Sequence, residues 1–119
     1  MRTIEIKGRH YPSHVELLSR TITVEWHEGK CICEPNNELV QGWFDPSRQI
    51  IYVDRVMQDS AIAEVLWHEV GHALYWMLEN EEIKRTEEDI VNLMAIAHMT
   101  IARNNPGLLT WLDVLSQQR

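Results

Sequence analysis

The first half of the chain alternates apolar and polar residues over short runs, which is the pattern of β-strands that bury one face. The runs that show it are 3–7, 21–26, 30–34, 39–44 and 49–54. Asp45-Pro46-Ser47-Arg48 joins the last two and has the residues of a type I turn, with Asp first and Pro second. These two runs therefore predict a β-hairpin.

One segment of this half carries a helical start signal instead. Ser13-His14-Val15-Glu16 matches a capping box, in which the first hydroxyl and the glutamate three residues later bind backbone amides reciprocally. We therefore predict a short helix that continues through Leu17 and Leu18.

The second half changes to helical signals. Ser60 is a suitable N-cap, and residues 61–78 are apolar except for a few positions: Glu64, His68, Glu69, Gly71 and His72. A helix that is apolar on almost all sides is central and buried, so we predict such a helix from Ser60 to about residue 80. Acidic residues after Thr86 predict a second helix to about residue 103, and a short third helix covers 109–117.

Strands followed by helices indicate an α+β fold. With 119 residues the chain is predicted to form one domain, 1–119. Its sheet would have three to five short strands, antiparallel or mixed, packed on the helix that begins at Ser60 and on the long helix that follows.

Charge and cysteine content narrow the classes of function. The chain has 11 Lys and Arg against 18 Asp and Glu, a net charge of −7, which argues against nucleic acid as a partner. No run approaches the roughly 18 apolar residues of a membrane span, and the N-terminus lacks the apolar core of a signal peptide. Cys31 and Cys33 are too close for an unstrained disulfide, so we predict a cytoplasmic protein with free thiols.

His68-Glu69-Val70-Gly71-His72 is an H-E-x-x-H sequence within the helix predicted from Ser60. Residues i and i+4 of a helix lie on one face about 6 Å apart, so two imidazoles there can bind one Zn²⁺ ion. Glu69 then lies beside a zinc-activated water and can act as its general base. The motif predicts a zinc hydrolase in which His68 and His72 bind the metal.

A catalytic zinc needs a third protein ligand and one open position. Glu88 is the preferred candidate, because Asn92 follows one turn later on the same helix face and could hold a ligating histidine by its free ring nitrogen. Glu87 lacks such a neighbour. His98 is the alternative third ligand and would give a three-histidine site.

The segments HEVGHAL at 68–74 and EDIVNLMA at 88–95 resemble motifs of the gluzincin-type metallopeptidases of the ImmA/IrrE family, which are common in phages and mobile elements. The resemblance covers roughly residues 42–102. It implies a zincin-like domain that hydrolyses peptide bonds of a protein substrate. It also implies that the substrate adds to an exposed edge strand just before the metal helix, here residues 49–54.

Other functions share these residues. A zinc-binding interaction protein without activity, or a zinc amidase acting on a small molecule, would also need His68 and His72. Glu69 favours an enzyme, because a structural zinc site does not require it and fills its fourth position with a protein ligand. Tyr75 is a candidate for stabilising the oxyanion, and the alternative is a core aromatic residue.

Overall fold

Strands occupy the N-terminal half of the chain and helices the C-terminal half, as the hydrophobic pattern predicts. The computed structural model describes residues 1–17, 20–79 and 87–118, and of these it leaves out the side chains of 79, 87–94 and 96. The strands are β1 (Thr3–Ile6), β2 (Arg9–Pro12), β3 (His14–Leu17), β4 (Arg20–His27), β5 (Cys31–Cys33), β6 (Glu38–Val40), β7 (Gly42–Asp45) and β8 (Ile50–Asp54). The helices are α1 (Asp59–Glu79), α2 (Glu87–Asn104) and α3 (Leu108–Ser116). The predicted α+β class is confirmed.

The main sheet of the described chain has four strands in the order β3-β4-β8-β7. β7 and β8 pair antiparallel across the predicted 45–48 turn, and β3 and β4 also pair antiparallel. β4 and β8 run parallel, with Thr23 opposite Ile50. The sheet is therefore mixed, and the strands β1–β2 and β5–β6 form separate antiparallel pairs beside it.

The hydrophobic core lies between one face of this sheet and the helices. The sheet contributes alternate, fully or almost fully buried residues, namely Val15, Leu17, Ile22, Val24, Ile51 and Val53. Helix α1 contributes residues at helical spacing, namely Ile62, Leu66, Val70, Ala73 and Met77. Helix α3 closes the core with Leu108, Leu112 and Leu115. The core thus fixes α1 across the face of β7 and β8.

Helix α1 is not buried on all sides, so that prediction is wrong. A stripe along one face is exposed, namely Glu64, Trp67, His68, Gly71, His72 and Tyr75. The prediction assumed that large aromatic residues are buried, but Trp67 is 40% exposed and Tyr75 is 62% exposed. The zinc-motif histidines therefore lie on an accessible face.

None of the described helices is long and apolar enough to cross a membrane.

Residues His14–Leu17 form strand β3 and not the predicted helix. Val15 and Leu17 are fully buried, whereas His14 and Glu16 are only partly buried, which is strand alternation. Val15 lies opposite Ile22 of β4. The pairing with β4 and the burial of two apolar side chains outweigh a local capping signal of about 1 kcal/mol.

The segment 49–54 does not form an edge strand, so that prediction is also wrong. Its strand, β8, lies between β4 and β7 and is hydrogen-bonded on both sides. The outer strands of the main sheet are β3 and β7. The strand order could not be read locally, because it depends on the parallel pairing of β8 with the distant β4.

The outer edge of β3 is closed by one side chain. The Glu16 backbone N–H donates to Asn105 Oδ1 at 2.7 Å, and Asn105 Nδ2 donates back to the Glu16 carbonyl at 2.9 Å. Asn105 Nδ2 also donates to the Ile101 carbonyl at 2.9 Å, and Asn105 is 3% exposed. The amide thus occupies the place of a neighbouring strand at the centre of this edge.

Both cysteines are free thiols, as predicted. Burial raises the pKa of Cys31 to about 11, and the charges of Asp54 and Glu25 add to this effect. Cys31 therefore stays protonated at neutral pH and is a packing residue of the β5–β6 pair, not a reactive thiolate.

Candidate metal centre

Helix α1 brings the two motif histidines together. His68 and His72 are one turn apart on the exposed stripe, and their Nε2 atoms are 3.0 Å apart. The ring centroids lie 4.6 Å apart with the planes at 82°. The two Nε2 atoms are within hydrogen-bond distance of each other, and this close approach is compatible with two ligands of one metal ion.

Glu69 lies beside them but points inward. It is 6% exposed, and its carboxylate and the two imidazoles place their ligand atoms within 4.8 Å of one another. Among the described residues it makes no hydrogen bond or ion pair. Burial raises the pKa of Glu69, and the nearby His72 and His68 partly oppose this. The site thus holds a carboxyl group whose affinity for a proton is increased by its surroundings.

Gly42 allows strand β7 to approach this part of α1. A Cβ at this position would lie 2.5 Å from Val65 Cγ1, 3.0 Å from the Tyr52 carbonyl oxygen and 3.6 Å from Glu69 Cγ. A side chain at this position would displace the Val65 side chain and press on the Tyr52 carbonyl group. The hydrophobic pattern does not mark Gly42, although an isolated glycine in a strand is a known signal of close backbone approach.

A cavity of about 380 Å³ opens between β7 and α1, and we call it the metal-side cavity. Gln41 and Gly42 line it from the strand, and the helix contributes Glu64, Val65, His68 and Glu69. The cavity therefore connects a strand edge to one of the two motif histidines and to the candidate base.

The outer side of β7 presents backbone groups to this region. The Asp54 N–H donates to the Gln41 carbonyl at 2.8 Å, so Gln41 directs its backbone groups at β8. Antiparallel strands alternate such positions, and the register pairs Gly42 with Val53 and Trp43 with Tyr52. Gly42 and Phe44 consequently direct their N–H and C=O groups away from the sheet.

The donor set fits a zinc ion. Zinc–nitrogen distances of 2.0–2.1 Å place two ligand nitrogens of a tetrahedral site roughly 3.3 Å apart, close to the 3.0 Å between the Nε2 atoms. Imidazole nitrogens and a carboxylate are typical zinc ligands. Glu88 and Asn92 belong to α2, but their side chains lie outside the described part of the structure, so the third ligand stays a prediction.

Tyr75 continues the exposed stripe of α1 after His68 and His72. It is 62% exposed, so the alternative of a core aromatic residue is wrong. Its place on the histidine face is compatible with the predicted contact to an oxyanion. His98, the alternative third ligand, is an exposed residue of α2.

Comparisons of this chain with protein-family models, with curated proteins and with solved structures find no match. The features of this chain that bear on its function therefore come from its own residues. The informative ones are the two converging imidazoles, the buried Glu69 carboxyl group, and the strand edge at Gly42.

Proposed function

We propose that this protein is a zinc-dependent peptidase with a zincin-like site, in which Glu69 is the general base. One observation carries the proposal. The Nε2 atoms of His68 and His72 lie 3.0 Å apart, and His68 and Glu69 line a cavity bordered by β7, an outer strand of the main sheet in the described part of the chain. This arrangement combines a metal site, a base and a surface for an extended substrate.

His68, His72 and, as predicted, Glu88 would hold the zinc ion. When bound, zinc lowers the pKa of a water molecule and polarises a substrate carbonyl. Glu69 accepts the proton of the attacking water and passes it to the nitrogen of the leaving amine.

The substrate strand would pair with β7 and not with β8. Gly42 and Phe44 offer outward backbone groups at the correct spacing for an added strand, and Gly42 lines the metal-side cavity. An extended peptide on this edge would pass the exposed face of α1 near His68. This arrangement favours a peptide over a small amide as the substrate.

The buried Glu69 distinguishes an enzyme from a zinc-binding interaction protein. The Glu69 carboxyl group lines the metal-side cavity, where a substrate can reach it, and a structural zinc site would not need it. Glu69→Gln is therefore the most informative variant for the test of activity, because it removes the base and leaves the histidines in place.

Metal content measured by mass spectrometry tests the site. We expect about one zinc per chain, lost in His68→Ala and in His72→Ala and retained in Glu69→Gln. Glu88→Ala should lose zinc, whereas the matched Glu87→Ala should keep it, because adjacent helical residues point about 100° apart. Asn92→Ala should weaken binding roughly 10–100-fold. Full zinc occupancy in both histidine variants would place the metal elsewhere.

Cleavage of a proteome-derived peptide library, analysed by mass spectrometry, tests the activity. The zinc-loaded protein should cleave peptides, and Glu69→Gln should not, since an amide cannot accept the proton. An active Glu69→Gln variant would refute the mechanism. A wild-type protein that binds zinc but cleaves nothing would instead support the non-catalytic alternative.

A further inference from the structure

A second depression lies on the other side of the exposed stripe of α1. It has a volume of about 430 Å³ and lies between α1 and α3, and we call it the α1–α3 groove. Helix α3 lines it with Leu109, Leu112, Asp113 and Ser116. Glu64 lines both this groove and the metal-side cavity. The two depressions therefore meet at one side chain.

The geometry of α1 explains why Glu64 lies at the border. Successive residues advance by about 100° around a helix. Within about 100° on one side of Glu64 lie residues that line the metal-side cavity, namely Ala61, Val65 and His68. Within the same angle on the other side lie residues that line the α1–α3 groove, namely Ser60, Ala63 and Trp67. Glu64 therefore lies on α1 between the residues that line the two depressions.

The charged side chains that line the α1–α3 groove are acidic. Among the described residues they are Glu64 and Asp113, and no Lys or Arg lines the groove. Glu64 is exposed and has no hydrogen-bond or ion-pair partner in the described part of the chain. By contrast, the depression on the opposite face of the sheet is lined by both signs, with Lys30 and Arg48 beside Glu25 and Glu34. The negative lining is thus a local property of the groove.

The second observation is the apolar surface that follows Glu64. Beyond Glu64, the groove offers the 40% exposed ring of Trp67, next to Leu109 and Leu112. A long side chain with an apolar stem and a cationic end fits this sequence of surfaces, because the stem can cover the indole ring while the cation meets the carboxylate.

We propose that Glu64 is a specificity residue that selects peptide substrates with Arg or Lys beside the scissile bond. The cationic side chain extends from the metal-side cavity to the Glu64 carboxylate and lies along Trp67. This inference rests on the proposed function and names its substrate class. Its test has two arms: one measures peptide cleavage, and the other measures peptide binding without catalysis.

The catalytic arm uses a cleaved library peptide and three copies with a single change beside the scissile bond. The varied residue is Arg, Lys, Glu, or citrulline, which has the shape of Arg without its charge. We expect kcat/KM for Arg to exceed that for citrulline about tenfold, as for a charge-assisted hydrogen bond. Glu64→Gln should bring the ratio close to one, and Glu64→Arg should favour the Glu peptide. Glu5→Gln and Glu5→Arg are controls on strand β1 and should leave the ratio unchanged.

The binding arm uses Glu69→Gln protein and a fluorescent strand-forming peptide with Arg or citrulline at its centre. The Arg peptide should bind about tenfold more tightly, and adding Glu64→Gln should abolish the difference. Equal binding of both peptides, or a preference that survives Glu64→Gln, overturns the inference even if the enzyme is active. If wild-type protein cleaves nothing, the proposed function fails, and the binding arm still decides the role of Glu64.

Discussion

Glu69 is held in a setting that favours its neutral form. It lies beside the exposed stripe of α1 but points inward, so the side chain is largely removed from water. The positive charge of a bound metal ion would reverse this preference, because an opposite charge stabilises the carboxylate. The zinc-free protein should therefore carry a destabilising charge that the zinc-bound protein does not.

Thermal unfolding of zinc-free protein against pH tests this statement. The folded-state pKa of Glu69 is raised above its ordinary value of 4.5, so its stabilising contribution is complete below that pH and is lost as the pH rises. Glu69→Gln should thus raise the Tm at neutral pH, with a gain that shrinks towards pH 4. The exposed Glu64→Gln is the control for the loss of one carboxylate from the same helix. A Glu69→Gln variant less stable than wild type at pH 7 would contradict the account.

Gly42 predicts a steric effect at the same site. Gly42→Ala should cost roughly 1–3 kcal/mol in the free energy of unfolding, because the new methyl group overlaps Val65 and presses on the Tyr52 carbonyl. Urea denaturation measures the loss. Gly71→Ala is the matched control: it lies on α1 with no atom within 4 Å of the added Cβ, and it should stabilise by about 0.5–1 kcal/mol. Val65→Ala should partly restore Gly42→Ala, and equal effects at the two glycines would refute the close approach.

At the scale of elements, local signals located the helices well. Predicted starts and ends at 60–80, 86–103 and 109–117 agree with α1, α2 and α3 to within a residue or two. N-caps, first-turn acids and the Asn104-Asn105-Pro106-Gly107 break are encoded next to the residues they affect. The hairpin of β7 and β8 is equally local, because Asp45 and Pro46 define its turn.

Pairing between strands that are distant in the sequence cannot be predicted from such local signals. The local capping signal predicts a helix at β3, but the strand pairs with β4, where Val15 lies opposite Ile22. The family resemblance implies an edge strand at β8, but β4 pairs with its second side. At the site, the motif identified His68, Glu69 and His72. It could not show that Glu69 is buried while the histidines are exposed, or that Gly42 and Glu64 border the cavity.

The position of β7 predicts different roles for adjacent backbone amides. Replacing Phe44 by its α-hydroxy acid keeps the side chain and removes an outward N–H. We expect kcat/KM for a cleaved peptide to fall roughly 3–10-fold, the value of one hydrogen bond, with little loss of stability. The same change at Trp43 removes an N–H that faces β8 and should lower stability instead. Unchanged kcat/KM for the Phe44 ester would exclude strand addition at β7.

At the scale of the whole molecule, the main sheet has one closed and one open side. Asn105 occupies the outer edge of β3, whereas β7 directs Gly42 and Phe44 outward. Unpaired strand edges promote association between chains, and proteins commonly cover them. In the part of the chain that the structure describes, the main sheet therefore has one edge open to an added strand, at β7 beside the metal-side cavity.

Asn105→Ala should open the second edge. The variant loses three hydrogen bonds of a buried amide, so the free energy of unfolding should fall by about 1–3 kcal/mol. Analytical ultracentrifugation should show concentration-dependent association well below its Tm. Asn105→Asp can still accept from the Glu16 N–H but cannot donate, and should be intermediate in both measurements. A monomeric Asn105→Ala variant of full stability would show that the amide does not protect the edge.

The hydrogen bonds between Glu16 and Asn105 can form only after both residues have been synthesised. The two residues are 89 positions apart, and at 5–20 residues per second the second follows the first by roughly 4–18 s. During that interval the nascent chain carries β3 without the amide that covers it. Chaperone dependence during synthesis should therefore be greatest before residue 105 emerges, and slower translation of the second half would prolong it.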